Sequence, residues 1–156
     1  MIELLVAMTL FIVIIALTSG AFVQSLRTQR ATVALIAANS NAALTIEQMM
    51  REIRTGKDFS VAGAPSGEGD EITFYSAREE TNVTYRWNST NKTIEREDQP
   101  ITADNVTVEK LKFRLCEECD ASYPPRITIV LQIGAPGAPG KLPFINLQTT
   151  VSARAF

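Results

Sequence analysis

The chain has 156 residues and a formal net charge of −2 at pH 7, with 46% hydrophobic and 21% charged residues. This length suits one compact domain with an appendage and is short for two domains. The absence of histidine excludes a Ser-His-Asp hydrolase and a His-based zinc site. A weakly acidic chain also lacks the clustered Lys and Arg that bind phosphate backbones. We therefore predict no catalytic residue, metal, cofactor or nucleic-acid partner.

The first element is an apolar run, in which Thr9 is the only polar residue between Leu4 and Leu17. A secretory signal peptide needs a basic start, but no Lys or Arg precedes Arg27. A plain membrane anchor has the required length of about twenty residues, yet it has no use for a carboxylate at the edge of its apolar run. A helix that packs against copies of itself can pair Glu3 with a cation and so offset the cost of burying it.

The string Met1-Ile2-Glu3-Leu4-Leu5-Val6-Ala7 with its apolar continuation resembles the start of mature type IV pilins and type II secretion pseudopilins. The resemblance implies that a prepilin peptidase cuts such chains from a basic leader and that the new N-terminal residue is methylated. That family usually has two residues, often Phe and Thr or Ser, before the position of Met1. Either two such residues precede this sequence or the mature chain begins at Met1.

The resemblance also implies that the carboxylate of Glu3 pairs with the N-terminal ammonium of a neighbouring subunit, so Glu3 and Met1 set the register of a filament. An unpaired charge in its dry core would cost several kcal/mol. The alternative is a Glu3 that stays in water at the membrane edge. The residues expected in the filament core, and in the membrane before assembly, are Leu4, Leu5, Val6, Leu10, Phe11, Val13, Ile14 and Leu17.

Helical periodicity continues beyond the apolar run. An apolar face with spacings of three and four is formed by Leu35, Ala38, Ala42, Ile46, Met49 and Ile53. No Pro occurs in the first 64 residues, and Gly56 follows two basic residues as an expected C-cap. We predict a single helix over residues 2–55. Its first half protrudes, and its second half packs on a sheet.

The triplet Thr18, Ser19 and Gly20 is a weak interval in this helix, because Gly costs up to about 1 kcal/mol against Ala and hydroxyls divert backbone hydrogen bonds. We expect local stretching over residues 16–22 in an assembled filament. A glycine that allows close helix contact is the equal alternative.

After Gly56 the apolar period changes to two. Residues 61–70 and 134–140 are rich in Gly and Pro and predict loops. Alternation predicts a three-stranded meander followed by three more strands, at 71–75, 82–87, 92–96, 106–115, 126–133 and 144–151. A slip between Val108 and Leu111 indicates a bulge.

These elements predict an α+β fold, in which the second half of a long N-terminal helix packs on an antiparallel β-sheet head, as in pilins. The predicted organisation is a transmembrane or filament-core helix half over residues 1–24. A globular head over 25–156 follows, in which the amphipathic helix half runs to about 55 and residues 70–156 are rich in β-structure.

Cys116-Glu-Glu-Cys119 has the spacing of a redox or zinc motif. The first Cys follows a strand, three acids nearby oppose thiolate formation, and no His supplies further ligands. A small disulfide across a turn is the favoured interpretation outside the cytoplasm, with paired free thiols as the alternative.

Asn-X-Ser/Thr triplets begin at Asn82, Asn88, Asn91 and Asn105, and each is a glycan acceptor or simply a turn residue. We favour turn chemistry slightly. Glu68, Asp70 and Glu71 match no calcium-binding loop and predict a solvated acidic loop.

Together these patterns predict a non-enzymatic structural subunit of a type IV pilus-like filament, in which copies of the chain assemble through the first helix. It would reside in the inner membrane before assembly and in an extracellular filament afterwards. The assembly machinery and the prepilin peptidase are partners implied by the resemblance alone. A minor pilin, a type II secretion pseudopilin and a membrane-anchored extracytoplasmic binding module are the alternatives.

Overall fold

The computed structural model describes residues 2–62, 68–116, 124–134 and 144–154. It confirms the α+β prediction: one long N-terminal helix is followed by antiparallel strands. The helix α1 covers Ile2–Thr55. The strands are β1 Gly56–Ala62, β2 Glu68–Gly69, β3 Glu71–Ser76, β4 Thr81–Asn88, β5 Thr93–Arg96, β6 Gln99–Pro100, β7 Thr107–Cys116, β8 Arg126–Gly134 and β9 Ile145–Ser152.

Helix α1 has two environments along its 54 residues, a length of about 80 Å at 1.5 Å per residue. Every described side chain before Ala31 is exposed. Further along, one face is buried in the head, and it consists of Ala38, Ala42, Thr45, Ile46, Met49 and Ile53. The apolar spacing of three and four that predicted this face therefore corresponds to real packing, because residues at that spacing lie on one side of an α-helix.

The strands form two sheets, where the sequence had suggested one. Sheet 1 has the order β1-β3-β4-β5-β6, and sheet 2 has the order β2-β7-β8-β9. The chain changes sheet at Asp70, which lies between β2 and β3. The predicted meander is β3-β4-β5, and the predicted bulge in β7 is present as a register shift between Val108 and Lys110.

The core lies between the buried helix face and the inner faces of both sheets. Sheet 1 contributes Phe74 and Tyr85, whose rings stack with centroids 6.1 Å apart. Sheet 2 contributes alternate residues of β7 and β8, and the helix contributes Met49 and Ile53, all fully buried. The indole nitrogen of Trp87 donates to the carbonyl of Val108 at 3.1 Å and so joins the two sheets.

Strand β1 corrects the expectation for the region after the helix. Gly56 was expected to be a helix C-cap and residues 61–70 a loop, but Gly56 begins a strand that extends to Ala62. A bulge between Lys57 and Ser60, with Asp58 at a φ of 54°, interrupts the alternation by which strands are recognised. Gly56 is needed for space: a Cβ there would lie 2.5 Å from Cδ2 of Phe74.

The Gly56→Ala variant is expected to lower the free energy of unfolding by about 1–3 kcal/mol, because the added methyl group displaces the ring of Phe74 in a packed core. Gly20→Ala is the control, since no atom lies within 4 Å of a Cβ at that position. Urea unfolding followed by Trp87 fluorescence gives both values. Equal free energies of unfolding for the two variants would show that the contact between residue 56 and Phe74 does not affect stability.

Candidate assembly surface

The first part of α1 is an apolar surface without a partner in the head. Its most apolar 18-residue window has a mean hydropathy of 2.5 and no buried residue, and by length and composition it is able to cross a membrane. The exposed fraction is 67% for Leu4, 63% for Phe11 and 70% for Leu17. The other predicted core positions are exposed too, namely Leu5, Val6, Leu10, Val13 and Ile14.

Two threonine hydroxyl groups within this surface are satisfied by the helix itself. The Thr9 hydroxyl donates to the carbonyl of Val6 at 2.9 Å, and the Thr18 hydroxyl donates to the carbonyls of Ile14 and Ile15 at 2.9 and 3.1 Å. Side chains paired in this way do not present free donors to lipid or to a dry protein interface. Helix α1 is also continuous through Thr18, Ser19 and Gly20 in the single chain; the stretching predicted for residues 16–22 applies to an assembled filament.

Glu3 is the only charged side chain between residues 2 and 26. It lies in the first turn of α1, where the helix dipole favours an anion. Met1, the other residue expected to set the register, lies outside the described residues. The single chain thus presents one carboxylate in the first described turn of a long apolar helix.

A second apolar stripe, not predicted from the sequence, continues along α1 beside the head. Val33, Ile36 and Leu44 are exposed by 66%, 61% and 64%, and Leu26 by 37%. At 100° per residue, Leu26, Val33 and Leu44 lie within about 20° of one another and roughly opposite the buried face. A search for apolar residues off the main helical face would have found them.

A cluster of three charged side chains ties α1 to sheet 1. The guanidinium of Arg96 donates to Glu52 of the helix at 3.0 Å and to Glu79 at 2.6 Å. The hydroxyl of Tyr85 is buried nearby, close to Glu52 and Arg96. Burial, followed by the charge of Glu52, raises the pKa of the Tyr85 phenol above its ordinary value of 10.0. Tyr85 therefore packs in the core as a neutral phenol. The two ion pairs of Arg96 fix the position of α1 along sheet 1.

The four asparagine candidates fall into two groups. The amide of Asn88 donates to Glu95 at 2.6 Å, and its oxygen accepts from the backbone of Thr90 and Asn91 at 3.0 and 3.1 Å. Asn105 accepts a 2.7 Å hydrogen bond from Asn41 of α1. Asn82 and Asn91 are exposed. Asn88 therefore stabilises the β4–β5 turn, and Asn105 joins the β-rich part of the head to α1.

The predicted cysteine pair is described only in part. Cys116 is the last residue of β7 and is disulfide-bonded. Its predicted partner, Cys119, lies outside the described residues.

Glu68 and Glu71, the predicted acidic residues on either side of the β2–β3 junction, lie in different sheets. The Glu68 carboxylate accepts from Arg114 at 2.8 Å, and this hydrogen bond lowers the pKa of Glu68. Glu71 begins β3 in the other sheet. Within residues 2–62, 68–116, 124–134 and 144–154, no group of three His, Cys, Asp or Glu side chains is placed to hold a metal ion.

The chain matches no protein-family model, no curated protein and no solved structure.

The Asn88→Ala variant is expected to lose about 1–3 kcal/mol of stability, because it leaves the buried Glu95 carboxylate short of a donor and the turn without an acceptor. Hydrogen bonds from Asn88 and then Arg86 lower the pKa of Glu95, so its carboxylate is the species that needs this donor. Asn91→Ala, in the same turn, should stay within about 0.5 kcal/mol of the parent. Urea unfolding distinguishes them, and a matching loss at Asn91 would contradict the assignment.

Tyr85→Phe is expected to reduce the sensitivity of the head to alkali. The raised pKa means that the folded state favours the protonated phenol, so this contribution to stability is complete below pH 10.0 and is lost as the pH rises above it. Unfolding midpoints between pH 8 and 11 should therefore fall less steeply in the variant. Tyr75→Phe, at a half-buried site on β3, controls for the loss of a phenol as such, and identical slopes would exclude Tyr85.

Proposed function

We propose that this chain is a structural subunit of a type IV pilus-like filament, which assembles through the first half of α1 while the β-rich head forms the outer surface. The observation that supports this proposal is the continuous exposed apolar helix with a lone carboxylate near its start. Large apolar surfaces of this kind belong to contacts with lipid or with other protein chains. The resemblance of residues 1–7 to pilins and pseudopilins points to the same role.

Lipid alone does not match the whole apolar surface. A bilayer core of about 30 Å covers about 20 helical residues, which is the stretch from Leu4 to Val23. The exposed stripe ends at Leu44, about 30 Å further along the axis. Since a membrane that covers the first segment leaves the second in water, a protein partner that runs beside α1 explains both. A neighbouring copy supplies such a partner, because the first half of its own α1 is apolar on nearly every side.

The energy for assembly would come mainly from burial of these side chains. A Leu, Ile, Val or Phe that moves from water to a buried site contributes about 1.5–3 kcal/mol before the entropic cost of association is subtracted. Side chains that lipid already covers gain mainly from closer packing. Because this term is non-directional, it does not fix how far one helix slides past the next. A single carboxylate that must find one cation does fix it, and that is the role proposed for Glu3.

The proposed route begins in the inner membrane, where lipid covers the first half of α1, and ends in an extracellular filament. Methylation at the N-terminus, the prepilin peptidase and the assembly machinery enter the proposal through the family resemblance. A repeating subunit is favoured over a minor pilin or secretion pseudopilin because the small head suits a repeating subunit, whereas the apolar helix and Glu3 are compatible with all three.

Electron cryo-microscopy of filaments sheared from the native cells tests the proposal. Repeating density that fits this sequence, with α1 in the core, would support it. Filaments built of another chain would assign this one to the minor subunits or pseudopilins. Cells that make the protein abundantly but carry no filament would favour a head tethered to the membrane.

Glu3→Gln is expected to abolish or strongly reduce filament yield while leaving the amount of membrane-inserted subunit unchanged. Removal of one partner of a buried ion pair costs about 3–5 kcal/mol, which is more than a hundred-fold in an assembly equilibrium. Glu47→Gln is the matched control, because Glu47 is an exposed helix carboxylate that pairs with Arg51. Immunoblots of sheared and membrane fractions give both quantities, and normal filaments with Glu3→Gln would refute the role in register.

A further inference from the structure

The four outer strands of the two sheets differ in how they are protected against pairing with another chain. A free edge exposes unpaired N–H and C=O groups, and proteins usually block it with charges, Pro, bulges or short length. Strand β1 has a bulge and the exposed charges of Lys57 and Asp58. Strand β6 has two residues, one of them Pro100. Strand β2 also has two residues, and a Cβ on Gly69 would lie 2.0 Å from the carbonyl oxygen of Ala62, so β1 covers it.

Strand β9 has none of these devices. Its eight residues contain no charge and no Pro, and its pairing with β8 runs without a register shift from Ile133 opposite Ile145 to Arg126 opposite Ser152. No other described strand pairs with it. Its outer face carries only hydrogen-bonding side chains, namely Asn146, Gln148, Thr150 and Ser152. Because its outward N–H and C=O groups are left available for pairing, such a strand is suited to bind another strand.

We infer that β9 pairs with β9 of a second copy of this chain, in antiparallel orientation about a two-fold axis perpendicular to sheet 2. The properties of the four edge strands identify β9 of the second copy as the pairing partner. Among the described strands of a second copy, β1, β2 and β6 are blocked, and β9 is uncharged and as long as its counterpart. Two uncharged edges meet without like-charge repulsion, and the contact is self-complementary as a two-fold interface requires.

The register of this pair follows from the pleat. About a perpendicular two-fold axis the equivalent faces of the two sheets lie on the same side, so each residue faces one of the same parity. Two registers of this kind overlap by seven residues, one centred on Gln148 and one on Thr149. The register centred on Gln148 is favoured, because only this one gives Ile145 a partner within β9. It places Gln148 opposite Gln148 and Asn146 opposite Thr150 on the outer face. On the helix side it places Ile145 opposite Val151 and Leu147 opposite Thr149, which adds partner contacts to the three of these residues that are half-buried in one subunit, Ile145, Leu147 and Thr149.

This geometry limits where pairing takes place. Each helix lies along its own sheet, so the two-fold rotation reverses its direction, and the two apolar helix halves point to opposite sides. Two copies in one membrane point the same way and are unable to form the contact. The pair therefore joins subunits from separate membranes or from filaments of opposite direction. The inference stands on the β9 edge and holds whether or not α1 builds a filament.

The test uses the full chain in lipid nanodiscs loaded with one copy each, so that lipid covers the first half of α1. Light scattering coupled to size-exclusion chromatography should show pairs of discs at increasing protein concentration. Gln148→Lys should weaken this association at least about five-fold, because two like charges then face each other. Thr90→Lys, on the exposed β4–β5 turn, should leave it unchanged.

A second variant keeps the test informative if the lysine disturbs the strand. Gln148→Cys places two thiols at facing positions, where Cα atoms of antiparallel strands lie about 4.5–5.5 Å apart and a disulfide forms readily. Oxidation should link subunits of different discs, and Thr90→Cys should not. Discs that stay single at all concentrations would overturn the inference. A further sample uses discs that carry two copies each. Disulfides that form only between the two copies of one disc would also overturn the inference, because copies in the same membrane point the same way and would have to pair in parallel. Neither outcome bears on the role of Glu3.

Discussion

The structure depends on one constraint: the roughly twenty residues of α1 from Leu4 to Val23 are predominantly apolar and are exposed, with no place in the head to pack. A helix that is apolar on every side is stable only where water is excluded all round it. The β-rich head supplies two inner sheet faces, and the second half of α1 occupies them. The first half therefore requires lipid or another protein surface, and the proposed filament would supply the second. Membrane insertion and assembly are two solutions to the same solvation problem.

The head keeps the exposed half of α1 in a defined position. Six buried helix residues from Ala38 to Ile53 hold the second half against both sheets, and the Arg96 bridge between Glu52 and Glu79 fixes it to sheet 1. Because an α-helix is stiff over this distance, its direction is transmitted to the protruding half. The stripe from Leu26 to Leu44 then faces away from the head, where a neighbouring helix has access to it.

Several elements were predictable because their signal is local. The limits of α1 follow from the absence of Pro before residue 65 and from the period of its buried face, and the β7 bulge follows from the slip between Val108 and Leu111. Strand β1 was missed because its bulge at Asp58 breaks the alternation and because Gly56 resembles a helix cap. Strand β6 was missed because the turn Glu97-Asp98 adopts positive φ at both residues without Gly or Asn.

The sequence by itself determined the long helix, its division into an apolar and an amphipathic half, the isolated Glu3 and most of the strands, since each of these depends on neighbours along the chain. Only the tertiary structure decided that the strands form two sheets and that Asn88 and Asn105 are occupied by Glu95 and Asn41. It alone also decided that β9 is an unprotected edge. Those features depend on which distant segments meet, and strand pairing and burial between residues far apart in the chain leave no periodic trace in the sequence.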